Sequence, residues 1–309
     1  MSKSSFTRFA WGVLTLNIFV IVWGAFVRAT GSGAGCGSHW PTCNGEVIPR
    51  DPSVQTMIEY SHRTTSGLAL LAVVTMLVLA FKQFPSGHTV RKAAVASLIL
   101  ILTEAGIGAG LVIFGLVENN DSNTRAFSMA LHLMNTFLLL AALTVTAHWS
   151  SGAAIPKSWT VKSESSRRFW LSVGATLLIG VSGAVAALGD TLFPAGSLAE
   201  GFAQDLDPSS HLFIKLRTFH PFIAVAGSVI MLALVNAVRR EKLGAPARTW
   251  ANRLNVLVIV QLAVGGINIL LLAPVWMQLI HLLIADFLWI ALILTGSELL
   301  ADPRSPQHV

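Results

Sequence analysis

Eight stretches of this chain are apolar for about twenty residues each, and that fixes most of what it can fold into. They fall at about 9–28, 57–81, 92–117, 125–149, 168–189, 213–238, 250–273 and 277–299. A helix needs roughly 20 apolar residues to cross a bilayer core, so the expected fold class is all-α integral membrane with eight transmembrane helices. Composition agrees. Of 309 residues 53% are hydrophobic and 12% charged, whereas soluble domains carry near a quarter charged residues. The mean hydropathy is +0.66.

The formal charge of +6 is a topology signal. Basic residues collect in alternate loops: Lys82, Arg91 and Lys92; then Lys157, Lys162, Arg167 and Arg168; then Arg239, Arg240, Lys242, Arg248 and Arg253. The loops between carry Glu118 and Asp121, or Asp190, Glu200, Asp205 and Asp207. The positive-inside rule makes the basic loops cytoplasmic. Both termini, with Lys3, Arg8 and Arg304, are then cytoplasmic as well, and the expectation is a multi-pass protein of the cell membrane. Basic charge spread over short loops is not a nucleic-acid footprint. The first apolar run is long and no small-residue cleavage site precedes the next segment, so no cleavable signal is expected.

Nine histidines are distributed unevenly over this map. His62, His132, His220 and His281 lie one to two turns inside the outer ends of the second, fourth, sixth and eighth spans, at one depth. His39, His88, His148, His211 and His308 fall in loops, at a helix's inner end or in the tail, and read as solvated or interfacial. An internal repeat accounts for the regular set. Gly24-Ala25-Phe26-Val27 matches Gly183-Ala184-Val185-Ala186, His62 matches His220, Glu104-Ala105-Gly106-Ile107-Gly108 matches Gln261-Leu262-Ala263-Val264-Gly265, and His132 matches His281. The offset is about 158 residues until the last pair. The expected organisation is two parallel four-helix bundles, 1–150 and 151–309, with a pseudo-twofold axis along the membrane normal.

Two histidines per bundle, on alternate helices at one depth, suit a planar metal cofactor clamped from both faces, since neutral imidazole is a strong ligand for iron. The several carboxylates or cysteines that a zinc or di-iron centre needs are missing from these helices. Beside the histidines the halves differ. Glu59 is a turn before His62, while Arg217 takes that place before His220. A carboxyl group near a metallocycle can move protons or stabilise a developing cation; a guanidinium suits a propionate. Plainer readings stand beside these: Glu59 as an interfacial acid paired with Arg63 or Arg28, and Arg217 as an interfacial base beside Lys215. The first outer loop, Gly31-Ser32-Gly33-Ala34-Gly35-Cys36-Gly37-Ser38-His39-Trp40-Pro41-Thr42-Cys43, holds both cysteines. Their spacing allows a small disulfide on an oxidising face, either as a staple or as an exchanging thiol pair. A Cys36/His39/Cys43 metal site lacks a fourth ligand.

The run Gly24 to Gly33, then Cys36-Gly37, Trp40-Pro41 and Cys43, then Glu59-Tyr60-Ser61-His62-Arg63, resembles bacterial heme A synthase, and the eight-helix duplication extends the likeness over the whole chain. The resemblance implies a membrane oxidoreductase that converts heme O to heme A, oxidising a ring methyl to a formyl group through two hydroxylations, for cytochrome oxidase assembly. It implies Glu59 as the catalytic acid, with His62, His132 and Arg63 at the substrate haem. His220, His281 and Arg217 would hold a resident haem b, all four histidines being axial to iron, and Cys36 and Cys43 would form the family's outer-loop pair. Heme O synthase, oxidase assembly factors and a second copy of the chain are the partners it names. The second half departs from the pattern: Pro221 follows His220, and its outer loop has no cysteines. A di-haem electron carrier that leaves both haems unaltered is the alternative. A transporter is disfavoured, because the third and seventh spans show no interruption of the kind that builds midplane sites.

Overall fold

In a computed structural model, described over residues 3–156, 163–241 and 243–301, the apolar runs are helices. Lys157, Lys162, Lys242, Arg304 and His308 lie outside the described residues. The helices are α1 (Lys3–Ala29), α2 (Val54–Gln83), α3 (Thr89–Ile113), α4 (Asn123–Ser150), α5 (Glu164–Leu192), α6 (Leu198–Leu206), α7 (Leu212–Arg217), α8 (His220–Arg240), α9 (Ala245–Leu270) and α10 (Val275–Ala301). Eight segments are long and apolar enough to cross a membrane, α7 and α8 counting together as Leu212–Arg240.

The starts are set by side chains that accept otherwise unpaired backbone N–H groups. Ser53, Ser122 and Ser163 cap α2, α4 and α5 by accepting from Thr56, Arg125 and Ser166. His88 and His211 do the same through Nδ1 for Val90 and Phe213, so these two loop histidines are helix caps.

Two features differ from the sequence expectation. The sixth span is not one helix: it breaks at Thr218 and Phe219, and Pro221 occupies the first turn of α8. Proline has no N–H to donate and is preorganised for a helix start, so the break falls immediately before His220. The connection between α5 and α7 also contains α6, whose cap Ser197 accepts from Glu200.

The packing forms two four-membered rings. α1 packs on α2, α2 on α3, α3 on α4 and α4 on α1; α5 packs on α8, α8 on α9, α9 on α10 and α10 on α5. Helices α4 and α10 also pack on each other and are the most buried of the set. Lipid provides no hydrophobic drive between helices, so close packing and polar bonds hold such a seam. Here Trp289 stacks on Phe137 with ring centroids 5.2 Å apart and donates its indole N–H to the Phe137 carbonyl at 2.6 Å. Farther along, Trp149 donates to Ser297 at 2.9 Å and His148 Nε2 meets Glu298 Oε1 at 2.6 Å. His148, outside the regular set of histidines, is thus a seam residue.

Candidate functional site

Each of the four regular histidines rests on a glycine of a neighbouring helix. A Cβ built on Gly24 of α1 would stand 2.9 Å from Cε1 of His62 on α2. The same construction gives 3.0 Å from Gly183 of α5 to His220 on α8, and 3.1 Å from Gly265 of α9 to His281 on α10. Gly108 of α3 and His132 on α4 form a looser version at 3.9 Å. The imidazole therefore takes the volume that a side chain on the facing helix would fill. All four rings stand about two turns from the start of their spans, on the cysteine-loop side, as 1.5 Å per residue dictates.

The rings fall in pairs, His62 with His132 in the first ring of helices and His220 with His281 in the second. Nδ1 of His62 and of His281 is buried with no hydrogen-bond partner among the described residues, a state that buried polar atoms seldom keep without a ligand. Nδ1 of His220 lies 3.0 Å from the Ser182 hydroxyl. Among the described residues no group of three or more His, Cys, Asp or Glu side chains is placed to hold a metal ion. A donor set of two imidazoles in each ring fits a metallocycle that brings its own equatorial ligands.

The structure adds a residue that sequence reasoning passed over. Glu104 on α3 places Oε1 3.3 Å from His132 Nδ1. The carboxylate is fixed by the Asn135 amide, which donates to Oε2 at 2.6 Å, and by the Thr136 hydroxyl, which donates to Oε1. The helices are thus not free of carboxylates beside the histidines. The signal was an acid inside an apolar span, aligned in the repeat with Gln261. Gln261 itself occupies the equivalent place, its Nε2 donating to the His281 carbonyl at 3.1 Å and lying 3.3 Å from His281 Nε2.

Glu59 is buried, 3% exposed, beneath the cysteine loop. Its Oε2 accepts the Cys36 N–H at 2.7 Å, and its Oε1 accepts from Nε of Arg63 at 3.1 Å and from Nη2. Arg63 Nη1 donates onward to the carbonyls of His39 at 2.6 Å and Thr42 at 2.7 Å. Cys36 and Cys43 are paired as a disulfide, with Cα atoms 4.3 Å apart, and both residues are buried. Thr56 donates to the Gly35 carbonyl at 2.7 Å, where a Cβ on Gly35 would collide with the Gln55 backbone. The loop is thereby pressed onto the start of α2. Of the plain readings of Glu59, pairing with Arg63 is the one found. Arg28 instead crosses between the rings, donating to the Ala187 carbonyl at 2.8 Å, to Thr191 at 2.7 Å and to Gln278 at 2.8 Å.

Arg217 is engaged by acids and amides of its own loop. It donates through Nε to Asp205 at 2.8 Å, through Nη2 to Gln204 at 3.1 Å, and through Nη1 to Asp190 at 3.4 Å and the Phe193 carbonyl at 3.3 Å. In these contacts it ties α6 to the end of α5, and its guanidinium has few donors left for a propionate.

Residues 7–293 match the COX15-CtaA family, described as cytochrome oxidase assembly protein. A protein named protoheme IX farnesyltransferase from Thermus thermophilus is 45% identical over 297 residues, covering 96% of this chain but 49% of its own length. The chain thus spans about half the length of that relative. A heme A synthase from Alkalihalophilus pseudofirmus is 30% identical over 280 residues, 89% of this chain and 91% of its own length. Another, from Halalkalibacterium halodurans, is 28% identical over 89% of this chain and 90% of its own length.

Proposed function

The chain belongs to the heme A synthase family of cytochrome oxidase assembly proteins, and from that premise we propose that it oxidises a ring methyl of heme O to the formyl group of heme A. It is a multi-pass membrane protein with eight apolar spans. The observation that carries the reading is the seating of four histidines on glycines of neighbouring helices, two in each ring.

In this reading the two rings are duplicates, one within 1–150 and one within 151–309, with both termini on the cytoplasmic side. His62 and His132 hold the substrate haem, and His220 and His281 hold a resident haem b whose iron supplies electron transfer. Glu59 is the acid nearest the first pair in sequence and stands where the cysteine loop closes over the first bundle. The Cys36–Cys43 bond acts as a staple, since both residues are buried. The loop excludes water from the histidine end, and Arg63 holds it there. The Thermus relative named for farnesyl transfer has about half its length outside the match to this chain. The matched part is the one shared almost end to end with the heme A synthases.

A second reading has its own support. Both Glu59 oxygens are already engaged, by Cys36 and Arg63, which is what a purely structural acid would show. A di-haem carrier that changes neither haem fits that arrangement. Pigment extraction from cells supplied with heme O separates the two: the synthase yields heme A, the carrier leaves heme O. Glu59→Ala then tests the catalytic assignment. Heme O should accumulate while the second haem stays bound, and unchanged heme A output rejects a catalytic Glu59.

A further inference from the structure

The repeat puts Glu104 and Gln261 at equivalent places, each against the histidine of the next helix, and their chemistry is opposite. Glu104 offers a carboxylate 3.3 Å from a ring nitrogen of His132, held in place by Asn135 and Thr136. Asn135 is itself anchored, donating to the Leu100 carbonyl at 2.9 Å. Gln261 turns an amide N–H toward His281, 3.3 Å from its Nε2. A carboxylate beside an imidazole fixes the ring N–H on its own side and raises the basicity of the other nitrogen as a ligand. The Gln261 amide is neutral and is spent on the His281 carbonyl at 3.1 Å, so it exerts no comparable pull on the ring proton. Ligand basicity and hydrogen bonding to the ligands are among the levers by which a protein sets a haem potential.

We propose that Glu104 is a positioning residue that lowers the potential of the first haem site through His132, and that the neutral Gln261 leaves the second site without that pull and so at higher potential. The inference rests on the reading above that His132 and His281 are axial ligands. Its consequence is directional: the half that binds the substrate gives up electrons more readily, and the half with the resident haem accepts them.

The test is an anaerobic potentiometric titration of the full-length protein, purified from haem-replete cells and followed in the visible bands. His132→Ala and His281→Ala assign each component by its loss. Glu104→Gln, nearly isosteric, should move the first component to higher potential, by about tenfold in the ferric-to-ferrous ratio at fixed ambient potential, ~59 mV for one electron. Gln261→Glu should move the second component down by a similar amount. A structural role alone would change haem content without moving a potential. If both variants bind haem and either component stays put or moves the other way, the proposal is overturned while the ligand assignment stands. If the unaltered protein is colourless, or neither alanine variant removes a component, the ligand assignment itself fails.

Discussion

Gly24 is the surface on which the His62 ring lies: a methyl group there would come within 2.9 Å of Cε1. The contact recurs between Gly183 and His220 and between Gly265 and His281. It explains why glycine-rich stretches in the repeat travel with histidines that are distant in sequence.

Adjacent glycines in α9 give a matched test of that contact. A Cβ on Gly265 meets His281 at 3.1 Å, whereas one on Gly266 meets nothing within 4 Å. Overpacking a fitted site costs about 1–3 kcal/mol, or roughly 5- to 150-fold in an equilibrium constant. Gly265→Ala should lose about tenfold or more in haem retention at the second site, with Gly266→Ala unchanged. Pyridine haemochrome content per mole of purified protein reads the difference, and equal content in the two variants would show that the glycine bed does not orient the ring.

Arg63 should be the most sensitive position beneath the cysteine loop. It neutralises a buried Glu59 and holds the carbonyls of His39 and Thr42. Removing one member of a buried ion pair costs about 3–5 kcal/mol, because the partner charge is left unpaired. Arg63→Ala should therefore lower the thermal midpoint in detergent and speed opening of the Cys36–Cys43 bond by a small thiol reductant. Arg63→Lys, which keeps the charge and loses the fork, should fall between. Reduction at an unchanged rate in Arg63→Ala would mean the loop is held by other contacts.

What could be read from the sequence was whatever repeats or obeys the hydrophobic ruler. The spans followed from run length, and the four histidines from their common depth and the duplication. Less legible were contacts that depend on three-dimensional direction. Glu104 was visible as one half of a repeat pair, but its approach to His132 depends on where α3 faces. The break before His220 was foreshadowed by Pro221, yet a proline one residue after a candidate ligand is compatible with a kink or a fresh start, and tertiary packing chooses. Helix α6 is too short for the span ruler, and its Ser197 cap is a local signal. Arg217 looked like a propionate ligand because its loop acids, Asp190 and Asp205, are distant from it in sequence.

Arg28 makes a cross-ring contact that predicts coupling between the halves. Of its three acceptors, Ala187 and Thr191 lie on α5 and Gln278 near the start of α10. Hydrogen bonds to a charged group contribute about 1.5–3 kcal/mol. Arg28→Met should lower the detergent thermal midpoint, with Arg28→Lys milder. A midpoint unchanged by Arg28→Met would show that helix packing between the rings, α4 on α5 and α10 and α1 on α10, holds them without this contact.

The last prediction concerns an acid that no contact explains. Asp286 is fully buried on α10, one turn before Trp289, and neither carboxylate oxygen has a hydrogen-bond partner among the described residues. An unsatisfied buried polar group costs about 1–3 kcal/mol, more when charged, and an apolar replacement of similar shape can be stabilising. Asp286→Leu is therefore expected to raise the thermal midpoint, by about 2–4 °C per kcal/mol for a chain of some 150–250 residues and less for a longer one. Haem content should be unaffected, because Trp289 still bonds Phe137 and the seam keeps its register. A fall in the midpoint, or loss of pigment, would mean that Asp286 has a partner at the seam whose removal leaves a greater void in hydrogen bonding than the carboxylate itself.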